Sequence, residues 1–310
     1  MAKPKRPFTG ITPPYDVLLR GSSEMPIGLY HLHLASAEQL CRLHHETQKM
    51  GSFKYVREML RILCEHKYVQ LDATPIKSLK ATRSPYFYVL DKLGFEYLEA
   101  AGLDVYKSFR ASKEIDKAYL FAKHTLELND IIISAALLKR SHKTVWLEEF
   151  RHERELKRKP YKIKWHGGGY NLIPDAFMIF RVVIPDGRQR RVPIIVEHDR
   201  GSEEQQYFRR RIRAYLTMLR NEGYKELFGV GGITIAFTTS AGVERLKKIR
   251  EWTAKELEET GEMQFKNLFY FTFLKPPTDA HQPPIDPYQV WVNTTWLPLY
   301  ENKAVPLLGV

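Results

Sequence analysis

The spacing of apolar positions along the chain changes several times, and each change marks an element. Ser36 and Gln39 stand at capping-box spacing, which predicts a helix over 36–45. Met50-Gly51-Ser52 reads as a break, after which Ser52 caps a second helix running to residue 66. In that stretch Val56, Leu60, Leu63 and Cys64 recur at helical intervals, while Lys54, Arg57, Arg61 and Lys67 fall on the other face. Residues 68–71 and 86–90 read as strands, and Asp91-Lys92-Leu93-Gly94 opens a further helix to residue 98. The loop between the strands carries Lys77, Lys80 and Arg83, with no acidic residue over 74–84.

Downstream, helical periods alternate with short apolar runs. Residues 119–138 read as a helix, 144–150 as a strand and 151–164 as a strongly basic stretch. A strand is predicted over 172–183, a hairpin turn at Ile184-Pro185-Asp186-Gly187, and a strand buried on both faces over 192–196. Helices follow over 203–220 and 241–259, alternating with strands over 233–237 and 268–273. The Gly167-Gly168-Gly169 run precedes a strand rather than a helix, so it reads as a turn and not a phosphate loop.

These elements set out the organisation. Residues 1–28, rich in Pro and Gly, read as an irregular basic arm, with Lys3, Lys5 and Arg6 as candidates for phosphate contact. Residues 29–105 run helix, turn, helix, strand, basic loop, strand, the order of a winged helix-turn-helix. A polar link with Lys107, Arg110, Lys113 and Lys117 leads to an α/β domain over 115–275, expected as a central mixed sheet flanked by helices. The Pro-rich tail, 276–310, is expected to pack on that core through Trp291 and Trp296. The class is therefore α/β, of the α+β kind, in two domains.

Charge adds a partner to this picture. The 310 residues carry a formal net charge of +12, and a globular chain this basic usually meets a polyanion. An α-helix fits the major groove and a basic hairpin can lie on the adjoining backbone, so double-stranded DNA is the expected partner. Lys54, Arg57 and Arg61 on the second helix and Lys77, Lys80 and Arg83 in the wing are the candidate contacts. A winged helix used for protein docking is the alternative. Cys41 and Cys64 fall among apolar helical neighbours and read as reduced core residues of a cytoplasmic protein. The basic N-terminus has no apolar run behind it, and no stretch approaches the length of a membrane span, so no membrane partner is expected.

Candidate chemistry rests on carboxylates. Asp175 follows Pro174, Glu197 ends the next strand, and Asp199 stands two residues on, on the same strand face as Glu197. A hairpin joins the two strands, so the three acids can converge as a hard oxygen site for Mg²⁺ or Mn²⁺, with no organic cofactor. A cation must balance them, either the metal or an arginine such as Arg211, which borders the apolar stripe of its helix. His198 alternates with the acids and should point away from them. Glu148 or Glu149 is a further candidate ligand, Pro185-Asp186 reads as a turn, and His124 and Asn129 read as structural polar groups.

The element order with Pro174-Asp175 and Glu197-His198-Asp199 resembles the PD-(D/E)XK nuclease core. That core normally has Lys where Asp199 stands here. With the winged helix included, the chain resembles the replication-relaxation family over roughly residues 28–240. His124 with Asn129-Asp130, Pro174-Asp175 and the segment 197–203 carry that likeness. The resemblance implies a plasmid or mobile-element protein acting in DNA replication and relaxation. Together with the residue pattern it gives a candidate catalytic set of Asp175, Glu197, Asp199, Arg200 and Arg211, with Asp175, Glu197 and Asp199 as metal ligands. Two functions stay open on sequence. One is a metal-dependent endonuclease or nickase. The other is an inactive DNA-binding accessory or regulator that docks a relaxase, a replication protein or a second copy of itself as a homodimer.

Overall fold

The computed structural model describes residues 24–45, 50–73, 86–105, 119–165, 168–277 and 283–309. Among these the chain divides into two compact units, the first ending at Ile133 and the second beginning at Ser134.

The first unit opens with α1 (Glu24–Leu32), where the sequence suggested an irregular arm up to residue 28. Pro26 masks this helix, yet in the first turn its missing N–H costs nothing. Met25, Leu29 and Leu32 bury one face. Strand β1 (Leu34–Ala35) leads into α2 (Ala37–His44), where Ser36 and Gln39 close the expected capping box. Helix α3 (Met50–Glu65) starts ahead of Ser52, so Met50-Gly51-Ser52 is helical and not a break. A glycine in a first turn weakens a helix by only about 1 kcal/mol, which burial of Val56, Leu60 and Leu63 outweighs.

Strands β2 (Val69–Ala73) and β3 (Tyr86–Leu90) pair antiparallel, and β1 joins the other edge of β3, giving the order β1-β3-β2. Helix α4 (Lys92–Ala100) begins at an Asp91 cap. Helix α5 (Tyr119–Ser141) contributes its part up to Ile133 to this unit. There Asn129 Nδ2 donates to the carbonyls of Leu32 at 3.1 Å and Leu34 at 2.6 Å, and Asp130 pairs with Arg42. Lys77, Lys80 and Arg83 lie outside the described residues, as do Lys3, Lys5, Arg6 and the link cations.

The second unit is built on a seven-stranded mixed sheet. In chain order its elements begin with β4 (Val145–His152) and the short α6 (Glu153–Leu156), then a separate hairpin of β5 (Tyr161–Trp165) and β6 (Gly168–Leu172). Next come β7 (Ala176–Val183), β8 (Gln189–Asp199), α7 (Gln205–Arg220), α8 (Gly223–Phe228), β9 (Thr234–Thr239), α9 (Val243–Thr260) and β10 (Phe269–Phe273). The tail adds α10 (Pro287–Trp291), β11 (Thr294–Pro298) and β12 (Val305–Pro306). Strand order is β12-β11-β10-β9-β8-β7-β4, with β8, β9 and β10 parallel to one another and the remaining pairs antiparallel.

The strand expected over 172–183 is two strands of different sheets. Leu172 ends β6, and Ala176 starts β7. Pro174 between them has no N–H for a ladder, which breaks the run. The basic stretch 151–164 holds the end of β4, all of α6 and most of β5. Ile194, Ile195 and Val196 are fully buried, as expected for a central strand. Phe208, Ile212 and Tyr215 from α7 pack with Ile249 from α9 on Phe177, Ile195 and Phe237 of the sheet. Trp291 and Trp296 are fully buried, with indole N–H groups on Ser134 Oγ and the Val290 carbonyl. No helix among the described residues is long and apolar enough to cross a membrane.

Candidate functional site

The acidic residues singled out in sequence gather where β7 begins and β8 ends. Strands β7 and β8 pair antiparallel with Ala176 opposite Val196, which brings Asp175 beside the residues that follow. Asp175 Oδ2 accepts the backbone N–H of His198 at 2.7 Å, continuing the ladder past its last pair. Glu197 and Asp199 both face the helices, as a two-residue spacing on a strand requires. His198 points to the opposite face and shares a hydrogen bond with Thr238 Oγ1 at 2.9 Å.

Each acid on the helix side meets an arginine. Arg211 Nη1 of α7 donates to Glu197 Oε2 at 2.8 Å, and its Nη2 donates to Glu203 Oε1 at 2.9 Å. The Tyr215 hydroxyl, one turn along α7, donates to Glu197 Oε1. Asp199 is clasped by Arg245 of α9, with Nε to Oδ2 and Nη2 to Oδ1 both at 2.8 Å. Asp199 Oδ2 also accepts from Gly201 N–H at 3.0 Å and Thr239 Oγ1 at 3.1 Å. Arg245 reaches the Glu203 carbonyl at 2.7 Å and lies over the Trp252 ring. Gly201 turns with φ of 82°, and a Cβ there would come within 2.6 Å of Ala241 Cβ, so the turn that carries Glu203 back needs glycine.

The electrostatics follow from burial. Desolvation pushes the Glu197 carboxyl up to about 8, with Arg211 opposing and Asp175 adding. Glu203 is raised for the same first reason. Desolvation works against charge on Arg211, but Glu197, Glu203 and Asp175 outweigh it and hold the guanidinium charged. Burial raises the Tyr215 phenol well above its ordinary range, so it remains a donor.

A divalent cation of the Mg²⁺ or Mn²⁺ kind needs several carboxylate lone pairs aimed at one point. Here both oxygens of Glu197 and both of Asp199 point at donors. Among the described residues no three His, Cys, Asp or Glu side chains are placed to hold a metal. The donor set as arranged does not fit such an ion. Arg200 is half-buried in the turn after β8. Glu148 and Glu149 lie on β4, where they pair with Arg181, Arg191 and Arg151, and not with the cluster. Asp186 pairs with Arg188 in the exposed hairpin turn.

The sequence model of the replication-relaxation family matches residues 28–230. This chain belongs to the replication-relaxation family. No curated protein matches it, and no solved structure does. Membership links the chain to replication and relaxation of mobile elements. The span that matches the replication-relaxation family holds Asp175, Glu197, Glu203, Arg211 and Tyr215, but ends before Arg245. It also holds Asn129 and Asp130, whose contacts tie α5 to α1, β1 and α2 and are structural.

In the first unit of this replication-relaxation protein, Lys54 and Arg57 are exposed on α3, with Arg57 over the Phe53 ring. Arg61 is also exposed but is held by Glu58 and Glu65 of its own helix. Residue patterning found Arg211, at the border of the apolar stripe of its helix. It missed the ion-pair roles of Glu203 and Arg245. A single arginine in the first turn of a later helix carries no local signal.

Proposed function

We propose that this protein is a DNA-binding accessory factor for replication or relaxation of a plasmid or other mobile element. Duplex DNA is bound by the first unit, and the α/β unit serves as a nuclease-like scaffold rather than a metal-dependent nuclease. The observation that carries this reading is the pairing of Glu197 with Arg211 and of Asp199 with Arg245. Those two guanidiniums supply the positive charge that a metal would otherwise bring to the acids. In an active nuclease of this kind the acids must be open to a cation that activates water.

The DNA-binding half of the proposal is supported by the first unit. Its order, α1-β1-α2-α3-β2-β3 with a three-stranded antiparallel sheet, agrees with a winged helix in which α3 enters the major groove. Lys54 and Arg57 then contact phosphate or base edges. A double-stranded oligonucleotide titration tests that half. A nicking assay on supercoiled plasmid with Mn²⁺ tests the other, and metal-dependent nicks lost in Glu197→Gln would restore the nuclease reading.

A further inference from the structure

The hairpin of the second unit carries an aromatic pair beside the ion-pair cluster, where the Tyr170 hydroxyl shares a hydrogen bond with Arg211. Trp165 and Tyr170 stack with ring centroids 5.5 Å apart and planes inclined by 23°. Arg210 of α7 lies over both, its guanidinium carbon 5.6 Å from the Trp165 centroid and 5.1 Å from that of Tyr170. The hairpin register explains the placement. Ile163 pairs with Tyr170 and Trp165 with Gly168, so the period of two puts Trp165 and Tyr170 on the same face as buried Ile163. Lys162 and Lys164 are exposed on the alternate face.

Beside this stack opens a cleft of about 440 Å³, lined by Trp165, Gln206, Arg209, Arg210 and Arg213 among others. Its size falls within the range of small-ligand sites, ~300–1,000 Å³. Arg209 and Arg213 share the buried Glu256, and Arg209 also meets Glu259. Three guanidiniums against these two carboxylates leave the cleft net positive. Arg210 makes no ion pair among the described residues; its one hydrogen bond there is a 3.4 Å contact to the Gly169 carbonyl. Tyr207, three positions before Arg210 on α7, is 56% exposed.

We propose that this cleft binds single-stranded DNA. One base stacks on the Trp165–Arg210 side of the platform that lines the cleft, and neighbouring phosphates meet Arg210 and Arg213. Stacked aromatics beside arginine suit this ligand because every base offers a π face, while a base inside a duplex has both faces covered by its neighbours. DNA is chosen over RNA because replication and relaxation of DNA both expose single strands. The site belongs to the second unit and the duplex contact to the first, so variants of each are read separately.

The test is fluorescence anisotropy of the full-length protein with a labelled oligo(dT) of about 12 nucleotides, within the usual span of single-strand sites. Salt-sensitive binding is expected. Trp165→Ala and Arg210→Ala should each weaken it about tenfold, at the lower end for loss of a stacked base. Lys54→Ala with Arg57→Ala should weaken duplex binding and leave oligo(dT) unchanged. Should Trp165→Ala fail to fold, Arg210→Ala and Arg210→Gln, at an exposed position, still decide the matter once native melting is verified. Wild-type oligo(dT) affinity in both Arg210 variants would overturn the proposal. So would tighter binding of oligo(rU) than oligo(dT), or loss of oligo(dT) binding in the Lys54/Arg57 variant.

Discussion

Asp199 ends a central strand as a buried carboxylate, and the surrounding residues adjust to it. Arg245 forms a two-point fork on Asp199, and Arg211 bridges Glu197 and Glu203. Removing one partner of a buried pair leaves the other charge uncompensated, at about 3–5 kcal/mol. Arg211→Ala and Arg245→Ala should each lower stability by roughly that amount in urea denaturation. Arg211→Lys should recover only part, because an ammonium cannot span two acids as a planar fork does. A second expectation concerns pH. Burial pushes Glu197 up to about 8 from an ordinary 4.5 even with Arg211 opposing, so its contact with Arg211 is a charge-assisted hydrogen bond below that value and an ion pair above it, and the native state keeps a proton that the unfolded chain has lost. That stabilisation is full below the unfolded value and is lost as pH rises through the folded one. Melting temperature should therefore fall across this window in wild type, and Glu197→Gln, which cannot ionise, should flatten the fall. An equally steep decline in the variant would assign the effect to another group.

At the scale of elements, single contacts secure whole segments. Asn129→Ala would strip the hydrogen bonds from the carbonyls of Leu32 and Leu34 and should cost about 1–3 kcal/mol, read as a lower denaturation midpoint of the first unit. Trp296→Ala should destabilise the second unit by about 3–5 kcal/mol, since the ring, carried on β11, is fully buried. What could be read from sequence at this scale follows a physical line. The Ser36–Gln39 box, the apolar stripe of α3 and the run 192–196 are local signals, and each produced the element expected. Helix α1 was hidden by Pro26, and β5 by lysines at 162 and 164 that made its alternation look like a charge run. The tail's strands β11 and β12 were hidden because they form at one end of the sheet, against partners that sequence alone does not reveal. The acids of the candidate site were legible, and so was Arg211. Arg245 was not, because its partner lies 46 positions away.

For the whole molecule, a net charge of +12 and membership of the replication-relaxation family point to the same polyanion. Duplex affinity should fall steeply with salt. Lys54→Ala with Arg57→Ala should flatten the log–log salt slope by about 2, near 0.9 for each phosphate no longer neutralised. Unchanged slope and affinity in that variant would place the duplex-binding surface elsewhere. The proposed function rests on arginines, not a metal, balancing the acidic cluster. Isothermal calorimetry of Mn²⁺ into the full-length protein tests it most directly. No saturable heat is expected. A saturable binding isotherm that disappears in Glu197→Gln would contradict it.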